Sequence, residues 1–388
     1  MAKIILGSYM VRYPLGGMAS WVLQYILGFH QLGHEIWFVE KAGYPQACYD
    51  PESDTMTDDC SVGAKFVNSL LGRFGLADRW CFVDLANNYY NIERQVIEKV
   101  FAEADLFVDM GTHGSWADEA QETGCRVLLD GEPGFTQMKM VLNREAGRTQ
   151  AESDFYFTTG QNIGTERSTA PDGGVDWHHI FHPVVPELFD HSREPTRGLT
   201  TVMNWQSYDP LPYRGQVFGH KDVEFLKFMD LPARTDVDIE LSVSGKSAPL
   251  TQIEGAGWKT SDAHEVTRSF DSFRDYLASS LGEFTVCKNG FVATNSGWFS
   301  DRSAAYLASG RPVIAQETGF SEHLPCGEGL WAVSSVDEAV SATKEILADY
   351  EHHCLAGREI ANEYLDARVV LGRFLNELGI QADKTSKS

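Results

Sequence analysis

A short apolar run at positions 3–9 opens the chain, gives way to Pro14 and the pair Gly16-Gly17, and is succeeded by apolar residues at helical spacing over 19–32. Gly33-His34-Glu35 then precedes a second apolar run at 36–39. The pattern predicts strand, glycine turn, amphipathic helix, turn, strand. A crossover of this length with a helix inside it joins parallel strands, so the opening is a βαβ unit. Further strands are predicted at 106–109, running into a loop with Gly111 and Gly114, at 126–129 and at 155–158.

Periodicity lapses between Pro183 and Gly198, where prolines, acids and arginines mix, and an interdomain linker is expected there. Beyond it lies a second α/β series. Strands are predicted at 199–205, 238–243 (ending at Gly245) and 312–315, and helices at 222–229, 273–281, 302–308 and 336–350. One long helical pattern covers 356–378. The expected fold is α/β, with two Rossmann-like domains facing each other across a cleft: residues 1–190, and residues 191–361. A helix at about 362–380 crosses back onto the first domain, and 382–388 form a loose tail. Ligands of open α/β sheets bind beyond the carboxyl ends of the strands, so function is expected in the cleft.

The length of 388 residues agrees with two domains. A formal charge of −23 repels polyanions at long range, and on this ground no nucleic-acid partner is expected. No segment has the roughly 18 consecutive apolar residues of a membrane span, and the start lacks a signal-peptide core, so a cytoplasmic protein without a membrane span is expected. The seven cysteines include no C-x-x-C pair and read as reduced thiols. His178-His179-x-x-His182 has a spacing that invites a metal, but Pro183 takes His182 out of helical geometry and no acid or thiol cluster accompanies it; no metal and no cofactor are expected.

The segment from Asn295 through Gly297, Trp298, Ser300, Asp301, Arg302 and Ser303 to Gly310-Arg311-Pro312 carries the most specific chemistry. A Gly/Ser loop enters a helix near Asp301, so free N–H groups, Ser300, Ser303 and the forked donors of Arg302 form a candidate anion site. The plainer alternative is a capped helix with a surface arginine. Gly16 and Gly17 open the first helix. Lys246, after Gly245, and Lys288 each come directly after an apolar run. His113 lies on a strand-end loop after Asp109, and Asp130 and Glu132 lie on another. Trp205, Tyr208 and Trp298 are candidate stacking residues.

The stretch Ala308-Ser309-Gly310-Arg311-Pro312-Val-Ile-Ala315, continued by Glu317-Thr-Gly319-Phe-Ser-Glu322, resembles the donor-binding stretch of GT-B glycosyltransferases and is most similar to the retaining family-4 type. Gly16-Gly17, Gly33-His34-Glu35 and Asp109-x-x-x-His113 agree with it. The resemblance implies a metal-independent hexosyltransferase that moves sugar from a nucleotide diphosphate sugar, a UDP-sugar, to a small-molecule acceptor. It implies that Arg302, Ser300, Ser303, Lys288, Lys246, Gly16 and Gly17 hold the diphosphate and that His113 touches the transferred sugar. Asp130 or Glu132 would serve as base if the reaction inverts. The family's two glutamates fall on Gly297 and Ala305, so Glu322, Asp301 and Glu317, with Gly319, are the candidates for nucleoside and sugar. The alternatives are a nucleotide-sugar epimerase of the same fold and a non-catalytic sugar- or nucleotide-binding protein, as monomer or homodimer. No G-x-G-x-x-G opens the first helix, which disfavours a dehydrogenase.

Overall fold

The computed structural model describes residues 1–148, 151–189, 193–245 and 247–380. Lys246 and the expected tail at 382–388 lie outside the described residues. Alternating parallel strands and helices build two sheets. The eight-stranded sheet runs, in spatial order, Trp177–His179, Phe155–Thr158, Arg126–Asp130, Leu106–Asp109, Lys3–Gly7, Glu35–Lys41, Trp80–Val83 and Tyr89–Tyr90. All its pairs are parallel except the last. The second sheet has six parallel strands in the order Lys259–Asp262, Ile239–Ser244, Leu199–Asn204, Gly282–Thr285, Val313–Gln316 and Leu330–Val333. Among the described residues no helix is long and apolar enough to cross a membrane.

The central strands are apolar on both faces because helices cover both, as parallel sheets require. Helix Gly16–Gln31 buries Ala19, Val22, Leu23, Ile26 and Phe29 on the first sheet. The expected helix over 222–229 is a single short turn, Lys221–Phe225, continued as a 3-10 turn, Leu226–Phe228. The long pattern over 356–378 is interrupted. Helix Tyr350–Ile360 passes into a π-helical turn, Ala361–Leu365, and Asp366 adopts an extended backbone before capping helix Ala367–Glu377. The break has a cause: the Val184 amide donates to the Leu365 carbonyl at 2.8 Å, and the Ala367 amide donates to the Val184 carbonyl at 2.7 Å. The linker and the returning chain thus cross side by side. The last helix then packs on the first one, with Leu371 and Ala367 against Gly28, where a Cβ would stand 2.5 Å from Leu371 Cδ1.

Candidate functional site

Strand Arg126–Asp130 delivers Asp130 to the cleft end of the first sheet. Its buried carboxylate accepts from the Glu132 amide (2.8 Å), Thr136 Oγ1 (2.6 Å), Gln137 Nε2 (2.9 Å) and Thr158 Oγ1 (2.8 Å). Four donors fill a carboxylate's acceptor capacity. The expectation of Asp130 as a base is therefore corrected: it builds the loop that presents Glu132.

Glu132 reaches across the cleft. Its carboxylate accepts from Lys288 Nζ at 2.5 and 2.7 Å and from the Tyr208 hydroxyl at 2.7 Å, both belonging to the second domain. Burial alone would raise the Glu132 carboxyl, but the Lys288 ammonium and the Tyr208 hydroxyl outweigh it and hold the group below its usual range. Two ammonium groups lie over the Tyr208 ring, Lys288 at 4.8 Å and Lys139 at 4.6 Å. His220 meets that ring edge-on at 4.2 Å and stacks on Phe135 of the first domain at 5.7 Å.

Beside Lys288 lies Lys221, the first residue of the Lys221–Phe225 helix. Its side chain is nine-tenths buried, and no hydrogen bond or ion pair among the described residues reaches its ammonium. Burial, and after it the neighbouring cations of Arg302 and Lys288, pushes its pKa down to about 7. The Glu283 carboxylate acts in the opposite sense, as the nearby anion that favours the charged ammonium.

Arg302, the first choice for the diphosphate, is committed elsewhere. Its Nε donates to Glu283 Oε1 (2.6 Å), Nη1 to the Val202 carbonyl (2.7 Å) and Nη2 to Thr285 Oγ1 (2.7 Å). Ser303 donates to the other Glu283 oxygen at 2.6 Å, and Glu283 is fully buried. Against the burial, the Glu283 carboxylate keeps the guanidinium charged. Ser300 caps its helix by accepting from the Arg302 amide at 3.2 Å. Three of the five Arg302 donors, the Ser303 hydroxyl and one acceptor site of Ser300 thus serve the fold. At Gly16 a Cβ would stand 2.0 Å from the Ser269 carbonyl oxygen, so only glycine fits against the second domain there, and a Cβ on Gly17 would face Phe273.

The nucleoside candidates line a seam between the domains. Gly160 and Trp298 form an antiparallel bridge, and the Asn162 amide donates to the Ser296 carbonyl at 3.0 Å. Glu317 accepts from the amides of Thr318 (2.8 Å) and Gly319 (2.5 Å) and from Ser321, Glu322 pairs with Arg167 at 3.0 Å, and His323 Nε2 lies 2.8 Å from Asn162 Oδ1. Glu322 and Gly319 thus touch the first domain across this seam, while Glu317 orders its own loop. Asp301 faces the first domain as well, where its charge is felt by Tyr25 and His182. Gly297 explains the missing glutamate: its φ is +75°, and a Cβ would stand 2.8 Å from the Asn162 nitrogen.

His113 is exposed on the cleft wall at φ +54°, in a loop held by Asp109, which accepts from the amides of Thr112 (2.7 Å) and Gly114 (2.9 Å). The surrounding protein, then the cations of Lys139 and Arg12, push its pKa below the usual value, against the attraction of Asp109. The other histidines diverge: His178 meets Glu377, His179 the Ile163 carbonyl, and His182 the Tyr25 hydroxyl. Lys221, Lys139, His220 and Glu283 escaped the sequence reading. A signal existed for Lys221, because a cation at a helix start opposes the macrodipole and needs a reason. Two surface hollows, of 310 Å³ beside Arg197 and Lys259 and of 660 Å³ beside Phe66 and Phe270, do not include Lys221, Lys288 or Glu132.

No protein-family model matches the chain, and no curated protein matches it. Solved structures do. An α-glucosyltransferase in complex with UDP and a 13-mer DNA containing a central A:G mismatch superposes with a TM-score of 0.57 at 11% identity, over 98% of this chain and 100% of that one. HepE of Anabaena in complex with UDP-glucose gives 0.59 at 12% identity, over the same 98% and 100%. The likeness establishes the fold, the two-domain α/β arrangement of GT-B glycosyltransferases. It also corrects the exclusion of nucleic acid drawn from net charge, since a protein of this fold has been solved on DNA. Net charge averages over the whole surface, whereas contact depends on the local field.

Proposed function

We propose that the protein is a glycosyltransferase that moves a hexose from a nucleotide diphosphate sugar, a UDP-sugar, to the hydroxyl of a small acceptor, with retention and without a metal ion. One observation carries the reading: Lys221, largely buried and held by no hydrogen bond or ion pair among the described residues, lies close enough to Lys288 to feel its charge, in a fold whose solved examples hold UDP and UDP-glucose. The two ammonium groups would take the diphosphate and offset the charge that develops as it leaves. The C1–O bond to the diphosphate breaks, the acceptor oxygen bonds C1, and the acceptor proton passes to the departing phosphate or to water. His113, on the opposite wall, is proposed to hydrogen-bond the sugar. The free cysteines suit a reducing cytoplasm.

The test is a binding and turnover screen with UDP, GDP, ADP and TDP and their glucose conjugates, with and without EDTA, using sugar acceptors and a short DNA duplex in separate arms. UDP-selective stabilisation that survives EDTA, is lost in Lys221→Met, and is joined by acceptor-dependent UDP release supports the proposal; absence of binding by every diphosphate refutes it. A second reading, a nucleotide-binding protein without catalysis, is favoured by Gly297, whose backbone and packing exclude the glutamate of the resembling family. It predicts UDP binding with no release from UDP-sugar under any acceptor.

A further inference from the structure

Lys288 spends two of its three ammonium donors, and its charge, on Glu132. Its ammonium is taken by both Glu132 oxygens, and the Tyr208 hydroxyl donates to the same carboxylate. Tyr208 belongs to the connection between strand Leu199–Asn204 and the Lys221–Phe225 helix, which projects as a two-stranded hairpin, Leu211–Tyr213 with Gln216–Phe218. The hairpin pairs with neither large sheet, and Pro212, Arg214, Gly215, Gln216 and Val217 are exposed. A lone two-stranded hairpin is marginal in water and takes its order from what it rests on. Here it rests on the first domain: Tyr208 stands 5.6 Å from the Phe135 ring and is bonded to Glu132.

The domains themselves are fastened. Besides the Gly160–Trp298 bridge, the Thr169 amide donates to the Thr294 carbonyl at 3.1 Å, and Val184 is bonded on both sides to the returning chain. The hairpin segment, by contrast, has no main-chain bond to the first domain among the described residues, and its Tyr208 ring lies against the Lys288 ammonium.

We propose that residues 206–218 form a lid over the two lysines and that Glu132 is its latch, an internal carboxylate that occupies Lys288 until the diphosphate of a donor displaces it. The exchange is chemically even-handed, since carboxylate and phosphate oxygens are both charged acceptors for an ammonium. A diphosphate wins by engaging Lys221 as well, which Glu132 leaves unpaired. Lys139, whose ammonium feels the Glu132 charge, is placed to receive the released carboxylate. This inference rests on the reading of Lys221 and Lys288 as the diphosphate cations.

Glu132→Gln keeps the shape and removes the charge. UDP titrated calorimetrically into the full chain is expected to bind Glu132→Gln about tenfold more tightly than wild type, the cost of breaking one charge-assisted contact being removed. Amide hydrogen exchange over 206–218, measured without nucleotide, is expected to quicken in Glu132→Gln and, to a lesser degree, in Tyr208→Phe. Equal or weaker UDP binding by Glu132→Gln, with wild type binding, overturns the latch and leaves the donor reading standing. Unchanged exchange over 206–218 in both variants overturns the lid. If wild type binds no diphosphate, the donor reading fails, and with it the competition for Lys288.

Discussion

Replacing Lys221 by methionine separates stability from binding, because one group is proposed to harm the first and serve the second. The residue is nine-tenths buried, no hydrogen bond or ion pair among the described residues reaches its ammonium, and its pKa falls from 10.5 to about 7. Between these values the unfolded chain holds a proton that the folded chain does not, so this group's contribution makes stability rise with pH from about 7 to 10.5. Below about 7 both states are charged and the full penalty applies, on the order of 5 kcal/mol. Methionine fills a similar volume without the charge. Lys221→Met is therefore expected to unfold at higher urea concentration than wild type, by several kcal/mol at pH 6, with the advantage shrinking towards zero by pH 10.5. The same variant is expected to lose UDP affinity. In wild type, that affinity is expected to fall as pH rises above about 7, because the free protein then loses the cation that the ligand needs. Urea unfolding at pH 6, 8 and 10 with calorimetric UDP titration measures both effects. A variant less stable than wild type at pH 6, or an advantage independent of pH, refutes the reasoning.

Three further expectations concern separate parts of the molecule. Arg302→Ala strands the fully buried Glu283 carboxylate and is expected to destabilise by about 3–5 kcal/mol in urea unfolding, whatever its effect on nucleotide. Gly297→Glu, which restores the acid of the resembling family, is expected to lower the Tm rather than create a sugar site, since a non-glycine residue would occupy φ +75° and press on the Asn162 nitrogen; a stability cost of about 1–3 kcal/mol checks this. Leu371→Ala, at the contact with Gly28, is expected to cost about 2–5 kcal/mol and to speed proteolysis of the last helix.

Much of the architecture was legible in the chain because strand and helix periods are local properties. The apolar run at 3–9, the glycine turn and the helical spacing over 19–32 specified a parallel unit, and the pause at 183–198 separated two such series. The single helix expected at 356–378 failed for a non-local reason: Val184, far away in sequence, takes the main-chain groups of Leu365 and Ala367 and breaks the helix there.

The site divides in the same way. Residue type and spacing marked Lys288, Glu132 and His113 as strand-end groups at the cleft, because chain order alone places the residues just beyond a parallel strand's carboxyl end. Whether such a group is free to bind is decided by its partners, which come from remote strands and the other domain. Arg302 looked like an open cation in sequence, yet Glu283, Thr285 and the Val202 carbonyl take three of its five donors. Lys221 lay just outside the helix expected at 222–229 and drew no notice, yet the fold buries it with no hydrogen bond or ion pair among the described residues. Local chemistry thus determined which groups stand at the strand ends, and only tertiary packing, by bringing partners from remote strands and from the other domain, decided which of those charges are paired.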